Sequence, residues 1–341
     1  MFSRMELPER IEAFSRLGET MRSLGLSDRK ALAEKAVNEN QWFTDDNVML
    51  SLKGIETLLE RKKLESWALS YSPEPAVIKT VGVAMAGNIP LVGFHDFLCV
   101  LIGGHRLKAK PSTHDTVLLK FIFAKLLEIE PRFAESASFE DTVKGVDAMI
   151  ATGSDNTARY FEYYFRKIPH IIRKNRTSCA VVQGWETTGE FAFLGLDVFS
   201  YFGLGCRNVS KLFVPDEFDF GPLIKSWEPF QTVIDHHKFA NNYNYQKSIM
   251  LLDQVPFLDG EFILLRAHKN LVSPIATLYY EKYKSLEELK SKIEGDKEKL
   301  QVTVSAQGWF QESIPFGMAQ LPEVSDYADK VDTMQFLVNL K

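Results

Sequence analysis

KTVGVAMAGNIPLVGFHDFLCVLIGGHRLKAKPS, residues 79–112, sets the architecture. Its first part, KTVGVAMAG (79–87), is a short Val-rich run ending in glycine, the texture of a strand buried on both faces of a parallel sheet. VGFHDFLCVLIGG (92–104) is apolar over the length of a helix, and Gly103–Gly104 supply its stop. RLKAKPS (106–112) reads as a second strand that Pro111 breaks. The same rhythm continues downstream. THDTVLLKFIFAKLLEI (113–129) is a helix with Thr113 and Asp115 as candidate caps. DAMIATGS (147–154) is a third strand, and DNTARYFEYYFRKI (155–168) is the helix after it. Strand and helix alternating three times in this order predict a parallel α/β sheet of Rossmann character.

Upstream, residues 8–70 read as helices, because apolar residues recur at helical spacing in IEAFSRLGETMRSL (11–24) and VMLSLKGIETLLERKKLESWAL (48–69). Downstream, a second α/β unit begins near Arg173. SCAVVQ (178–183), KLFVP (211–215) and SIMLL (248–252) are its expected strands, and SLEELKSKI (285–293) opens with a capping box from Ser285 to Glu288. The Asn/Tyr run NNYNYQ (241–246) reads as an irregular loop. The expected division is therefore a first domain over 1–172, a second over 173–325, and a tail or edge strand over 326–341.

Composition narrows the function classes. The chain has 341 residues, enough for about two domains on the usual length prior. Acidic and basic residues are interspersed and the net charge is −5, which gives no electrostatic argument for nucleic acid or an anionic membrane. The most apolar stretch, Asn88 to Gly104, carries His95 and Asp96 and is too short and polar to span a bilayer. The N-terminal MFSRMELPERIEAF has acids where an export signal needs an apolar core. With 3 cysteines there is no disulfide framework, so the expected compartment is the reducing cytoplasm.

Four constellations carry possible chemistry. Cys99 and Cys179 sit in apolar segments, as buried cysteines usually do. Cys206 differs, lying between Gly205 and Arg207 at a helix-to-strand junction; Gly203 and Gly205 permit close backbone approach, and a cation favours thiolate. Buried structural use remains the alternative. Asn88, in Gly87–Asn88–Ile89–Pro90 at the carboxyl end of the first strand, can donate a hydrogen bond to an oxyanion, or can simply form a strand-to-helix turn with Pro90. Lys108-Ala-Lys110-Pro-Ser-Thr ends the second strand where nucleotide-binding sheets meet the adenosine ribose; a solvated basic strand end is equally consistent. Gly153–Ser154 joins a strand to a helix N-terminus, which suits a pyrophosphate, although Ser154 or Asp155 can equally be an N-cap. No G-x-G-x-x-G fingerprint occurs. Asp235-His236-His237 lacks the i, i+4 spacing of a helical zinc site, so no metal is expected.

Taken in order, Asn before Pro, Lys-Pro-Ser, Thr-Gly-Ser and Gly-x-Cys before a strand resemble the aldehyde dehydrogenase superfamily. IRKNRTSCAVV (172–182), DVFSYFGLGCRNVSKLFVP (197–215) and VDTMQFL (331–337) resemble its acyl-CoA reductase branch, related to the fatty-acid reductase subunit of bacterial luminescence systems. The resemblance implies two Rossmann-type parallel α/β domains with the active site in the cleft between them. It implies Cys206 as the acylated nucleophile, Asn88 and the Cys206 amide as oxyanion hole, and Lys110, Ser112, Thr113, Gly153 and Ser154 against the cofactor. It also implies a homo-oligomer, with a reduced oligomerisation region because the chain is short for the superfamily. Three departures matter. Where hydrolytic members carry Glu-Leu-Gly-Gly, this chain has Arg173-Lys174-Asn175-Arg176, without the base that activates water. Thr113 replaces the acid that follows Lys-Pro, which relieves repulsion of a 2′-phosphate and favours NADPH, with NADH the alternative. Near Ser273-Pro274 the ribose-binding glutamate of Glu-x-Phe-Gly-Pro is missing. The implied reaction is reduction of an acyl thioester, from acyl-CoA or an acyl-transferring partner protein, to an aldehyde. An acyl-phosphate reductase of the glutamyl-phosphate type and a nucleotide-binding acyl carrier without turnover are the rival readings.

Overall fold

The computed structural model describes residues 4–71, 73–153 and 155–341. They form two compact units, one of residues up to Asn175 together with Pro322–Lys341, the other Arg176–Leu321.

The first unit opens with helices α1 (Leu7–Ser23), α2 (Leu26–Glu39), α3 (Asp45–Leu58) and α4 (Arg61–Leu69). Its sheet contains β1 (Thr80–Ala84), β2 (Arg106–Lys110), β3 (Ala137–Phe139), β4 (Ala148–Thr152) and β5 (His170–Arg173), in the order β3-β2-β1-β4-β5. All four pairings are parallel. Helices α5 (Phe94–Ile102), α6 (Val117–Ile129) and α7 (Asp155–Phe165) link the strands. Nearly every residue of β1 and β4 is buried, as expected of strands covered on both faces. The chain steps outward from β1 to β2 and β3, then crosses back to β4, so the order reverses at β1. The crevice beyond the carboxyl ends of β1 and β4 is therefore the topological switch point where such sheets bind ligands.

Local detail departs from expectation in two places. Neither Thr113 nor Asp115 caps α6: the Glu39 carboxylate of α2 accepts from the amides of Thr116 (2.7 Å) and Val117 (2.9 Å) instead. A side chain remote in sequence has taken the orphan donors of the helix start, which local reading could not see. Of the two alternatives for the closing segment, tail or edge strand, the structure shows no strand but a helical tail. It forms α12 (Thr333–Val338), capped by Asp332 accepting from the Gln335 amide, with Thr333, Met334 and Leu337 buried at helical spacing. It is tied to the first unit by Trp67 Nε1 donating to Tyr327 Oη (2.7 Å) and Tyr71 Oη donating to Asp332 (2.7 Å).

The second unit is a seven-stranded sheet, β12-β11-β6-β7-β10-β9-β8. Its strands are β6 (Thr177–Val181), β7 (Val209–Pro215), β8 (Leu258–Asp259), β9 (Leu264–Ala267), β10 (Thr277–Tyr283), β11 (Leu300–Ser305) and β12 (Ser313–Pro315). Only the short β8 runs antiparallel. The helices are α8 (Thr188–Phe199), α9 (Gly221–Ser226), α10 (His237–Leu252) and α11 (Leu286–Gly295). Two expectations fail in α10. SIMLL is not a strand and NNYNYQ is not a loop; both are helical. Phe239, Tyr243 and Met250 form its buried stripe, and Tyr243 Oη donates to Asp259 (2.5 Å). Leu251 and Leu252 are exposed. Tertiary burial of one helical face has overridden weak local propensity. Ser285 does cap α11, accepting from the Glu288 amide, but the Glu288 carboxylate takes the Lys284 amide, so the box closes one residue earlier.

Candidate active site

The residues singled out in the sequence fall into two groups, one on each unit. On the first unit, Asn88, Lys110, Ser112, Thr113 and Gly153 all follow or end strands at the carboxyl edge of the sheet. Asn88 is exposed in the bend after β1, and its loop is anchored from beneath. Asn40 Nδ2 donates to the Gly87 carbonyl (3.0 Å), and Ser51 Oγ donates to the Pro90 carbonyl (2.7 Å). Asp115 Oδ2 accepts from the Leu91 amide (2.6 Å), which holds Leu91 at a left-handed φ of 59°. Burial raises the Asp115 carboxyl to about 7, against the lowering effect of that bond. Gly87 is required sterically: a Cβ there would lie 2.5 Å from Ser112 Cβ.

That approach makes Ser112 a packing residue as much as a candidate ligand. Its Oγ accepts from the His114 amide (3.2 Å) and its carbonyl from Asp115. Lys110 and Thr113 are exposed at the same edge, whereas Lys108 donates to the Lys144 carbonyl. Gly153 follows β4, its amide directed to the Arg173 carbonyl; Ser154 lies outside the described residues. Arg173, in the segment without a carboxylate, is buried and paired with Asp96, and its Nη2 donates to Thr333 Oγ1 (2.8 Å). Burial works against its charge, but Asp96 outweighs that and holds the guanidinium above its ordinary value.

On the second unit, Cys206 occupies the turn entering β7. It is partly exposed, while Cys99 and Cys179 are fully buried, and none of the three is disulfide-linked. Its turn is strained and tightly held. Tyr201, Phe202 and Gly203 are successive left-handed residues (φ 52°, 56° and 77°). Such backbone costs on the order of 1–3 kcal/mol per non-glycine residue and persists only when its surroundings enforce it. Here burial of the Tyr201 and Phe202 rings and the side chain of Asn208 do so. Asn208 Nδ2 donates to the carbonyls of Asp197 (3.1 Å) and Ser200 (2.8 Å), closing off the end of α8, while its Oδ1 accepts from the Gly205 amide (2.8 Å). From β6, the buried Ser178 Oγ donates to the Cys206 carbonyl (3.0 Å).

Sequence reasoning missed Asn208 and Ser178, and it took Asp115 for a helix cap where the structure makes it the anchor of Leu91. Asn208 left a faint signal, a short amide three residues after Gly205, but Ser178 acts across strands and left none. A cavity of about 50 Å³ is lined partly by Phe202, Gly203, Val209, Phe239 and Thr277; it has room for little more than solvent. Among the described residues no group of three or more His, Cys, Asp or Glu side chains is arranged to hold a metal ion. Among them, too, no helix is long and apolar enough to cross a membrane.

No family model and no curated protein matches the chain by sequence. Solved structures do match in fold. An aldehyde dehydrogenase from Bacillus cereus, solved as its NAD+ complex, superposes with a TM-score of 0.63 at 12% identity, covering 90% of this chain and 72% of that one. Betaine aldehyde dehydrogenase from Staphylococcus aureus, also with NAD+, gives 0.64 at 10% identity over 89% and 71%. Aldehyde dehydrogenase 21 from Physcomitrella patens, in complex with succinate, gives 0.61 at 12% identity over 99% and 89%. The chain therefore has the aldehyde dehydrogenase fold.

Proposed function

We propose that this protein reduces an acyl thioester to an aldehyde, with Cys206 carrying the acyl group and NADPH as reductant. The observation that carries the reading is Cys206 itself. It is the one partly exposed cysteine, it stands in a strained turn that Asn208 and Ser178 lock, and the fold is that of nicotinamide-dependent aldehyde dehydrogenases.

The residues at the first unit's carboxyl edge fit such a cofactor. Lys110 is exposed for the ribose or its phosphate, and residues 110–114 contain no carboxylate. Glu140 follows β3 on the same edge, its amide donating to the Ala109 carbonyl, and this carboxylate is what would favour NADH instead. A reduced nicotinamide bound at these residues would supply the hydride. The Cys206 thiolate attacks the thioester carbonyl and the donor thiol leaves, which divides one difficult displacement into two easier steps. Each unit offers a donor suited to the oxyanion of the tetrahedral states, the Asn88 side chain on the first and the Cys206 amide on the second. Hydride addition gives a thiohemiacetal on Cys206, which collapses to aldehyde as the thiolate departs. Arg173 supports reduction over hydrolysis: the position that would need a base holds a cation already engaged by Asp96.

The test is oxidation of NADPH and NADH across acyl-CoA chain lengths and an acyl phosphate, with mass spectrometry of the acylated protein. A thioester-dependent loss of absorbance and an adduct on Cys206, absent from Cys206→Ser, are expected. A wild-type level of adduct in Cys206→Ser would remove Cys206 as nucleophile. Preference for the acyl phosphate would favour the glutamyl-phosphate type, and NADPH binding without oxidation by any donor would favour a carrier.

A further inference from the structure

Around Cys206 runs a closed ring of hydrogen bonds. The carboxylate of Asp197, on the last turn of α8, accepts from the amides of Gly317 (2.7 Å) and Ala319 (2.9 Å). The Ala319 carbonyl accepts from Arg207 Nε. Arg207 is bonded to Asn208, whose amide returns to the Asp197 carbonyl (3.1 Å). The Arg207 and Asn208 links tie the nucleophile's turn to the strap at 317–319 and to α8, and the Asp197 carboxylate ties α8 to the strap. The strap is shaped for this. Gly317 has a left-handed φ of 82°, and a Cβ there would press on Phe193 at 3.1 Å. Asp197 has no solvent exposure, and a buried carboxylate is costly unless it is hydrogen-bonded, as it is here to the two amides.

We infer that Asp197 is a positioning residue for Cys206, acting through the 317–319 strap and Arg207 to hold the thiol's turn in its reactive geometry. The inference rests on Cys206 being the nucleophile, as proposed above, but not on the identity of the acyl donor or cofactor. The ionised carboxylate is the stronger acceptor for two amides. Burial raises its pKa to about 7, while the Gly317 and Ala319 amides and Arg207 act the other way. Among the described residues, Arg207 is the charged side chain acting on it from a neighbouring element. The ring should therefore tighten as pH rises through neutrality and loosen below it.

Alkylation of Cys206 by iodoacetamide between pH 5.5 and 8.5 reads this without acyl donor or cofactor. Cys99 and Cys179 are fully buried, and Cys206→Ser supplies the blank. The wild type should show an inflection near pH 7 in addition to ionisation of the thiol. Asp197→Asn should lack that inflection and alkylate roughly tenfold more slowly at pH 8, the effect of losing a charge-assisted bond. Arg207→Gln, at a partly exposed site, keeps the carboxylate but removes the cation that lowers its pKa. Its inflection should move to higher pH, a shift that general loosening of the fold would not produce. A wild-type profile in a folded Asp197→Asn overturns the inference. If that variant does not fold, an unmoved inflection in Arg207→Gln overturns it. Absence of NADPH oxidation by the wild type with every thioester, alongside these alkylation changes, would instead overturn the proposed function and leave the positioning role standing.

Discussion

Asn88 and Cys206 could be singled out from the sequence as candidates because their chemistry is in their side chains: an amide at the edge of a sheet, and a thiol between a glycine and an arginine. Asp197 was not, because what it does depends on Gly317 and Ala319, more than a hundred positions away. Asn88 also offers a separation of function from stability. Its side chain is exposed, and its loop is anchored by Asn40, Ser51 and Asp115. Asn88→Ala should thus lower turnover about 10²–10³-fold, the usual effect of removing one oxyanion donor. Its unfolding free energy should stay within about 0.5 kcal/mol of wild type, as for surface substitutions generally. Turnover assays beside urea unfolding check both. A stable variant with wild-type turnover would take Asn88 out of the oxyanion hole.

Among elements, those that follow a strong local period were readable and those set by distant partners were not. KTVGVAMAG and VGFHDFLCVLIGG contain β1 and α5 because strand and helix textures there are unambiguous. SIMLL is as apolar as a strand, but it continues a helix whose buried stripe is Phe239, Tyr243 and Met250, and that stripe is diluted by Asn, Tyr and Gln. The start of α6 shows the same limit, since Glu39 caps it from another helix. Element packing can be tested where β1 exits. Gly87→Ala would set a Cβ 2.5 Å from both Ser112 Cβ and Ser112 Oγ, while the next neighbour, Asp115 Cβ, is at 3.4 Å. Overpacking of this kind costs about 1–3 kcal/mol. Ser112→Gly removes both offending atoms, so the double variant should recover most of the loss despite the added glycine. A double-mutant cycle on urea midpoints measures the coupling. Additive effects would mean that the two loops do not meet as described.

For the whole molecule, the parallel α/β character follows from the strand–helix rhythm, whereas most strands of the second sheet do not, nor does the docking of Pro322–Lys341 on the first unit. Its ties depend on side chains such as Trp67, Tyr71 and Arg173 that carry no local mark of a partner. Each unit also buries a carboxyl group raised to about 7, Asp115 in the first and Asp197 in the second. The unfolded chain releases such a proton near pH 3.9, while the folded chain keeps it until about 7. Between those values the folded state binds more protons, so this contribution to stability is full at low pH and is lost as pH rises through the folded pKa. His95 and His105 act in the opposite direction, because desolvation lowers their pKa values and the unfolded chain takes up their protons first as pH falls. A single pH-stability curve would mix the two effects. Comparison with Asp115→Asn cancels the histidines, since the amide keeps an acceptor for the Leu91 amide but does not titrate. The variant should gain on wild type by on the order of 2 kcal/mol between pH 5 and pH 8, and most of the gain should come below pH 7. Urea midpoints of both proteins at pH 5, 6, 7 and 8 measure the gap, and a gap that stays constant would mean that Asp115 is ionised throughout.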